Sequence, residues 1–138
     1  MEKIIVTGAT GFIGSVFVKY LISKKKDVLA LGRKEYDEIS DIRRKNLNGS
    51  KYLQIDMKEI SNLNQKIIDI NWNPGKSCVF FNLAWGGANR LSDLNIEAQM
   101  NNVIWAVEAI KIAKKIGCSK FIHIGTMEEA FTYKYFDL

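Results

Sequence analysis

Apolar residues along this chain fall into two alternating kinds of run. Five short stretches, residues 3–7, 27–31, 51–55, 78–83 and 120–125, are rich in β-branched and other apolar side chains, as in Lys3-Ile4-Ile5-Val6-Thr7. Strands of a parallel sheet covered on both faces have this composition. Between them lie longer stretches, residues 12–23, 36–46, 60–70 and 94–116, whose apolar positions recur at helical spacing. Strands and helices alternating in this way predict one doubly wound α/β domain, a five-stranded parallel sheet of order 3-2-1-4-5 with right-handed crossovers. The single proline, in Asn71-Trp72-Asn73-Pro74-Gly75, marks a loop before the fourth strand rather than a domain linker.

The helix predicted at 94–116 carries two apolar stripes. Ile96, Met100, Val103, Val107 and Ile110 follow three- and four-residue steps and are expected to face the sheet, with Trp105, Ala109, Ile112 and Ile116 roughly opposite. A helix apolar on two sides needs a second cover. Together with an apolar fifth strand at the sheet edge, it predicts self-association, a homodimer through the 94–116 helix.

Between the first strand and the first helix stands Thr7-Gly8-Ala9-Thr10-Gly11-Phe12-Ile13-Gly14. Gly8 suits a tight exit from the strand, Gly11 a close backbone approach to a pyrophosphate, and Gly14 close packing of helix on strand. The helix start offers unpaired N–H groups and a partial positive charge to the anion. A glycine triplet alone is weak evidence; strand before and helix after make it specific for a Rossmann-type dinucleotide site built on Gly8, Thr10, Gly11, Phe12, Ile13 and Gly14. At the end of the second strand an acid would bind the adenine ribose 2′-hydroxyl, whereas an arginine accommodates a 2′-phosphate. The chain reads Leu31-Gly32-Arg33-Lys34, with glycine where the acid would stand. Two cations beside a missing carboxylate favour NADP over NAD, unless Arg33 and Lys34 merely solvate the loop and NAD binds through its phosphates. Asp56, in Gln54-Ile55-Asp56-Met57, is placed either to meet the adenine edge or to cap the next helix.

Composition narrows the class further. With 138 residues, 47% of them hydrophobic and 25% charged, the chain suffices for one globular domain and not two. It contains no apolar run of membrane-spanning length and no signal-peptide pattern, so a cytoplasmic protein without a membrane partner is expected. The net charge of +5 is carried by runs such as Lys24-Lys25-Lys26 and Arg43-Arg44-Lys45. These suit solvated helix ends and loops; without interleaved aromatics or a reading motif they predict no nucleic-acid partner. Cys78 and Cys118 lack metal-ligand spacing and are expected as reduced, partly buried thiols.

These residues, together with several further segments, resemble the extended short-chain dehydrogenase/reductase family of nucleotide-sugar epimerases, dehydratases and ketoreductases. The resemblance spans nearly the whole chain. It rests on the 7–14 segment, on Asp56-Met57, on Phe81-Asn82-Leu83-Ala84, on Asn101-Asn102-Val103 and on Phe121-Ile122-His123-Ile124-Gly125-Thr126. It implies that Leu83 and Ala84 line the cofactor with backbone atoms, that Asn102 helps order the active site, and that Thr126 is the catalytic Ser/Thr that hydrogen-bonds the reacting sugar oxygen of a nucleotide-sugar substrate. Asn82 stands where the family usually has His, and Gly125-Thr126-Met127-Glu128 is closer to O-antigen sugar reductases of the CDP-abequose synthase type.

The family's chemistry also implies a Tyr-x-x-x-Lys pair after the fifth strand, the lysine lowering the tyrosine pKa for general acid/base work. Here Tyr133 is followed four residues later by Asp137, and the sequence ends at Leu138. These residues are therefore expected to be an N-terminal, truncated part of the family's domain, without its last strands or substrate domain, able to bind the cofactor and unable to turn it over. The rival expectation is an inactive remnant or a cofactor-binding regulatory module. His123, the only histidine, is expected as a core or cofactor-face residue, and the adjacent Glu128 and Glu129 as loop solvation.

Overall fold

A computed structural model describes residues 1–86 and 95–125 of the chain. Five strands, β1 (Lys3–Thr7), β2 (Asp27–Gly32), β3 (Lys51–Gln54), β4 (Val79–Asn82) and β5 (Lys120–His123), form one parallel sheet of order β3-β2-β1-β4-β5, as the alternating pattern predicts. The described helices are α1 (Phe12–Ser23), α2 (Asp41–Leu47), α3 (Leu63–Asp69) and α4 (Ile96–Ile116).

Strand residues alternate between two cores because successive side chains leave a strand on opposite faces. Ile4, Val6, Val28 and Ala30 pack with Val18, Leu21 and Leu47 on the α1 and α2 side. Ile5, Leu29, Leu31 and Phe80 pack with Ile60, Leu63, Ile67, Ala109, Ile112 and Ala113 on the α3 and α4 side. At the N-terminal edge of the sheet, Asp27 accepts from Lys3 Nζ and, at 3.2 Å, from Trp72 Nε1, joining β1, β2 and the loop before β4.

Two predicted helices are shorter than their pattern suggests. The stretch 36–46 divides into a 3-10 turn at Tyr36–Glu38 and α2, because Ile39 and Ser40 take extended backbone angles that let Ile39 reach the core. The stretch 60–70 likewise becomes a 3-10 turn at Met57–Asn62 followed by α3.

The faces of α4 are the reverse of the expectation. Ala109, Ile112 and Ala113 are buried against the sheet, while Met100, Val103, Ile104, Val107 and Ile110 are exposed. Ala109 and Ala113 flank Ile112 on the face that meets the core, where small side chains permit close helix packing, and Ile116 extends that contact. The helix starts at Ile96 rather than 94, with Asn95 Oδ1 accepting from Ala98 N at 3.0 Å, and ends on Gly117 at φ +89°. Among the described residues no helix is long and apolar enough to cross a membrane.

Candidate functional site

The glycine segment folds as its spacing requires. Gly8 takes φ +67°, and Gly11 N donates to Gly8 O at 3.0 Å, which turns the chain sharply out of β1. A Cβ at Gly14 would lie 2.0 Å from Gly8 O, so any side chain there collides with backbone. Helix α1 then begins on Gly11 with no capping side chain and no acid in its first turn. Its leading amides and dipole are thus open to an anion, and the apolar side chains of Phe12 and Ile13 stand exposed beside them. Ala9 N donates to Leu31 O at 3.0 Å, tying this loop to the end of β2.

Thr7, the last residue of β1, governs the neighbouring loop. Its hydroxyl donates to Asn82 Oδ1 at 2.6 Å and accepts from the amides of Leu83 and Ala84, both at 3.1 Å. The amide donors of Leu83 and Ala84 are therefore committed internally, and the Leu83 side chain packs against the core on the α1 side. Asn82, buried, also bonds His123 Nδ1 through Nδ2 at 3.0 Å. His123 is not a core residue: it is exposed at the C-terminal end of β5, with its ring 6.2 Å from that of Trp85. Trp85, His123, Val103, Val107, Ile110 and Phe121 line a groove of about 310 Å³. Asn102, 3% exposed, holds one residue by both of its backbone polar groups, accepting from Gly86 N at 2.8 Å and donating to Gly86 O at 2.6 Å. These two bonds fix the backbone of Gly86 after β4.

The loop after β2 is held from β3. Tyr52 Oη donates to Lys34 O at 2.5 Å and Gln54 Nε2 to Arg33 O at 3.2 Å. Burial pushes the Tyr52 hydroxyl up to about 12, so it stays a donor at physiological pH. Backbone is pinned while the side chains of Arg33 and Lys34 are exposed, and among the described residues neither has a carboxylate partner. A Cβ on Gly32 would come within 2.6 Å of Thr10 Cγ2 and 2.7 Å of Tyr52 Oη. Asp56 realises its capping alternative, accepting from Lys58 N at 3.1 Å, and Met57 packs against the α3 and α4 core.

Thr126, Gly87, Glu128, Glu129, Tyr133 and Tyr135 lie outside the described residues. Thr7 and Arg43, whose Nη1 donates to Thr10 O at 3.1 Å, went unnoticed in the sequence. A threonine ending a strand and an arginine in a basic run give no local sign of such partners. Both thiols are free, with Cys78 fully buried, and a hydrogen bond with Cys118 together with burial pushes the Cys78 thiol well up. Among the described residues no group of three His, Cys, Asp or Glu side chains could hold a metal.

With this geometry in view, the comparisons with known proteins are specific. The family model for the NAD dependent epimerase/dehydratase family matches residues 4–131. The chain belongs to that family. No curated protein matches it significantly in sequence. Its fold is similar to UDP-glucose 4-epimerase from Bifidobacterium longum, solved with NAD+ and UDP, at TM-score 0.69 and 23% identity over 95% of this chain and 38% of that one. It is also similar to the UDP-Glc/GlcNAc 4-epimerase of Campylobacter jejuni, at TM-score 0.69 and 19% identity over 89% of this chain and 36% of that one. A third is the Bordetella bronchiseptica enzyme WbmH in complex with NAD+, at TM-score 0.62 and 18% identity over 88% and 38%. This family member thus spans less than two-fifths of the length of these chains.

Proposed function

We propose that this chain supplies the dinucleotide-binding part of a nucleotide-sugar epimerase, reductase or dehydratase, and that its 138 residues alone bind the cofactor without turning it over. The carrying observation is the uncapped start of α1 beneath the Gly8 turn, where a pyrophosphate meets free amides and the helix dipole. When bound, the nicotinamide supplies hydride exchange with a sugar carbon. The chain's own residues hold it: Gly11, Phe12 and Ile13 at the pyrophosphate, Arg33 and Lys34 at the adenosine ribose, Leu83 and Ala84 along the chain's far side. Thr126 serves the reacting sugar oxygen in this reading, and Asn102 positions the Gly86 loop that frames it.

Within this reading the preferred cofactor is NADP. The support is steric and electrostatic together: an acid at Gly32 requires Thr10 or Tyr52 to move, and the two cations beside it have no carboxylate partner among the described residues. Calorimetric titration with NAD+ and NADP+ tests it. Tighter binding of NADP+ is expected, and binding of neither dinucleotide would refute the cofactor reading. Turnover of a UDP-sugar by these residues alone would refute the binding-only part.

The exposed apolar face of α4 favours a second element, a homodimer in the cytoplasm formed through this helix. Sedimentation velocity of the chain and of Ile104→Glu tests it. A dimer that the substitution dissociates is expected, and a monomer throughout the micromolar range would refute it.

A further inference from the structure

Cys78 and Cys118 are distant in sequence and meet at the N-terminal end of the sheet, opposite the glycine loop. Val79 of β4 pairs with Lys120 of β5, and just ahead of that pair Ser119 N and Ser119 Oγ both donate to Cys78 O, at 2.8 and 3.1 Å. Cys118 N donates to Ala113 O at 2.9 Å, so the turn leaving α4 delivers the Cys118 side chain to the core that contains Cys78. Neighbouring strands lie about 4.8 Å apart and rise about 3.3 Å per residue, which sets diagonal Cα atoms about 6 Å apart. That spacing is within the span of a disulfide.

The two sulfurs have different surroundings. Cys78 is 0% exposed, and a hydrogen bond with Cys118 together with burial pushes its thiol up. Cys118 is half-buried, and the same hydrogen bond from Cys78 holds it below its ordinary value. Cys78 is therefore the S–H donor, and Cys118 is the sulfur that carries charge within reach of solvent. Exposed Lys114, Lys115 and Lys120 flank Cys118 in the chain, a setting suited to an anionic reagent.

We propose that Cys118 and Cys78 form a thiol–disulfide exchange site, at which a small anionic disulfide of the glutathione type converts the pair to an intramolecular disulfide. The Cys118 thiolate attacks one sulfur of the reagent; the mixed S–S bond forms, the reagent's own bond breaks, and one glutathione leaves as thiolate. Cys78 then attacks the Cys118 sulfur, gives its proton to the second departing glutathione and closes the bond. Counted from the dithiol, two electrons and two protons leave the chain and appear as two glutathione thiols. The new bond ties the end of α4 to the start of β4.

The test incubates the folded chain with oxidised glutathione at neutral pH, quenches it in acid, and reads intact mass and disulfide-linked peptides, alongside Cys118→Ser and Cys78→Ala. The parent is expected to lose two hydrogens in mass, with its Cys78 and Cys118 peptides linked, and to recover on reduction with dithiothreitol. Cys78→Ala is expected to stop with one glutathione on Cys118, and Cys118→Ser to react at least about tenfold more slowly than the parent. A folded parent that keeps both thiols while its urea-unfolded form is oxidised would overturn the proposal. So would glutathione retained on Cys118 of the parent, a disulfide between two chains, or a Cys118→Ser protein that reacts as fast as the parent. None of these readings involves a cofactor or turnover, so they are independent of the dinucleotide reading.

Discussion

Replacing Thr7 by Val keeps the shape of the side chain and removes only its hydroxyl. That hydroxyl is the donor to Asn82 Oδ1, an atom of a residue 1% exposed whose other bond, to His123, is made through Nδ2. Losing it leaves a buried carbonyl oxygen without a donor, at about 1–3 kcal/mol. The amides of Leu83 and Ala84 lose their acceptor as well. Both residues are half-buried, so water can reach them and about 0.5 kcal/mol each is a fair figure. The sum is about 2–4 kcal/mol, a large part of the roughly 5–15 kcal/mol of a whole domain. Thr7→Ser keeps the hydroxyl and loses one methyl, at about 1 kcal/mol. Urea unfolding followed by tryptophan fluorescence reads both, with the slope as a check that the unfolded state is unchanged. The expected order is parent, then Thr7→Ser, then Thr7→Val. A Thr7→Val protein as stable as Thr7→Ser would show that packing, not the hydroxyl, holds the β4 loop.

Gly14→Ala sets two effects against each other: helix propensity favours alanine by about 1 kcal/mol, whereas the contact of its Cβ with Gly8 O opposes it. Destabilisation is expected, and a thermal melt with a raised midpoint would contradict the packing argument. Asn102→Leu strands both backbone polar groups of Gly86 and is expected to cost about 2–3 kcal/mol in urea titration. Asp27 lies below its ordinary value: burial pulls it up, and the Lys3 and Trp72 hydrogen bonds with nearby lysine charge outweigh that. A depressed carboxylate stabilises the fold above its unfolded pKa and loses that contribution as pH falls through the folded one. The stability gap between the parent and Asp27→Asn should therefore be full at neutral pH and narrow below about pH 4, and a gap that widens in acid would refute the assignment.

Strand order and the glycine cradle were legible because they rest on local patterns. Period-two and period-3.6 hydropathy give elements, and the 7–14 segment needs only its own backbone to make its turn. What escaped depends on partners distant in sequence. The buried face of α4 sets Ala109 and Ala113 against the core, small residues that hydropathy alone ranks below Val103 and Val107. Arg43 and Arg44 look alike in a basic run and separate only when Thr10 and Asp41 are set beside them. Thr7 is three-quarters of a hundred residues from Asn82, and its hydroxyl gives no hint of that partner. Asp56 left two meanings open, and its bond from Lys58 N shows the capping one.

Strand β1 belongs to both cores at once, giving Ile4 and Val6 to one and Ile5 to the other, and it is bonded to neighbours on either side. It also supplies Lys3 to the latch at one end of the sheet and Thr7 to the latch at the other. The two layers therefore cannot open independently. Hydrogen exchange should find the slowest amides in Ile4, Ile5 and Val6, with both helical layers releasing their protons only when that strand lets go. A cofactor that clamps the loop leaving β1 would slow exchange on the far face of the sheet as well as at the site it touches.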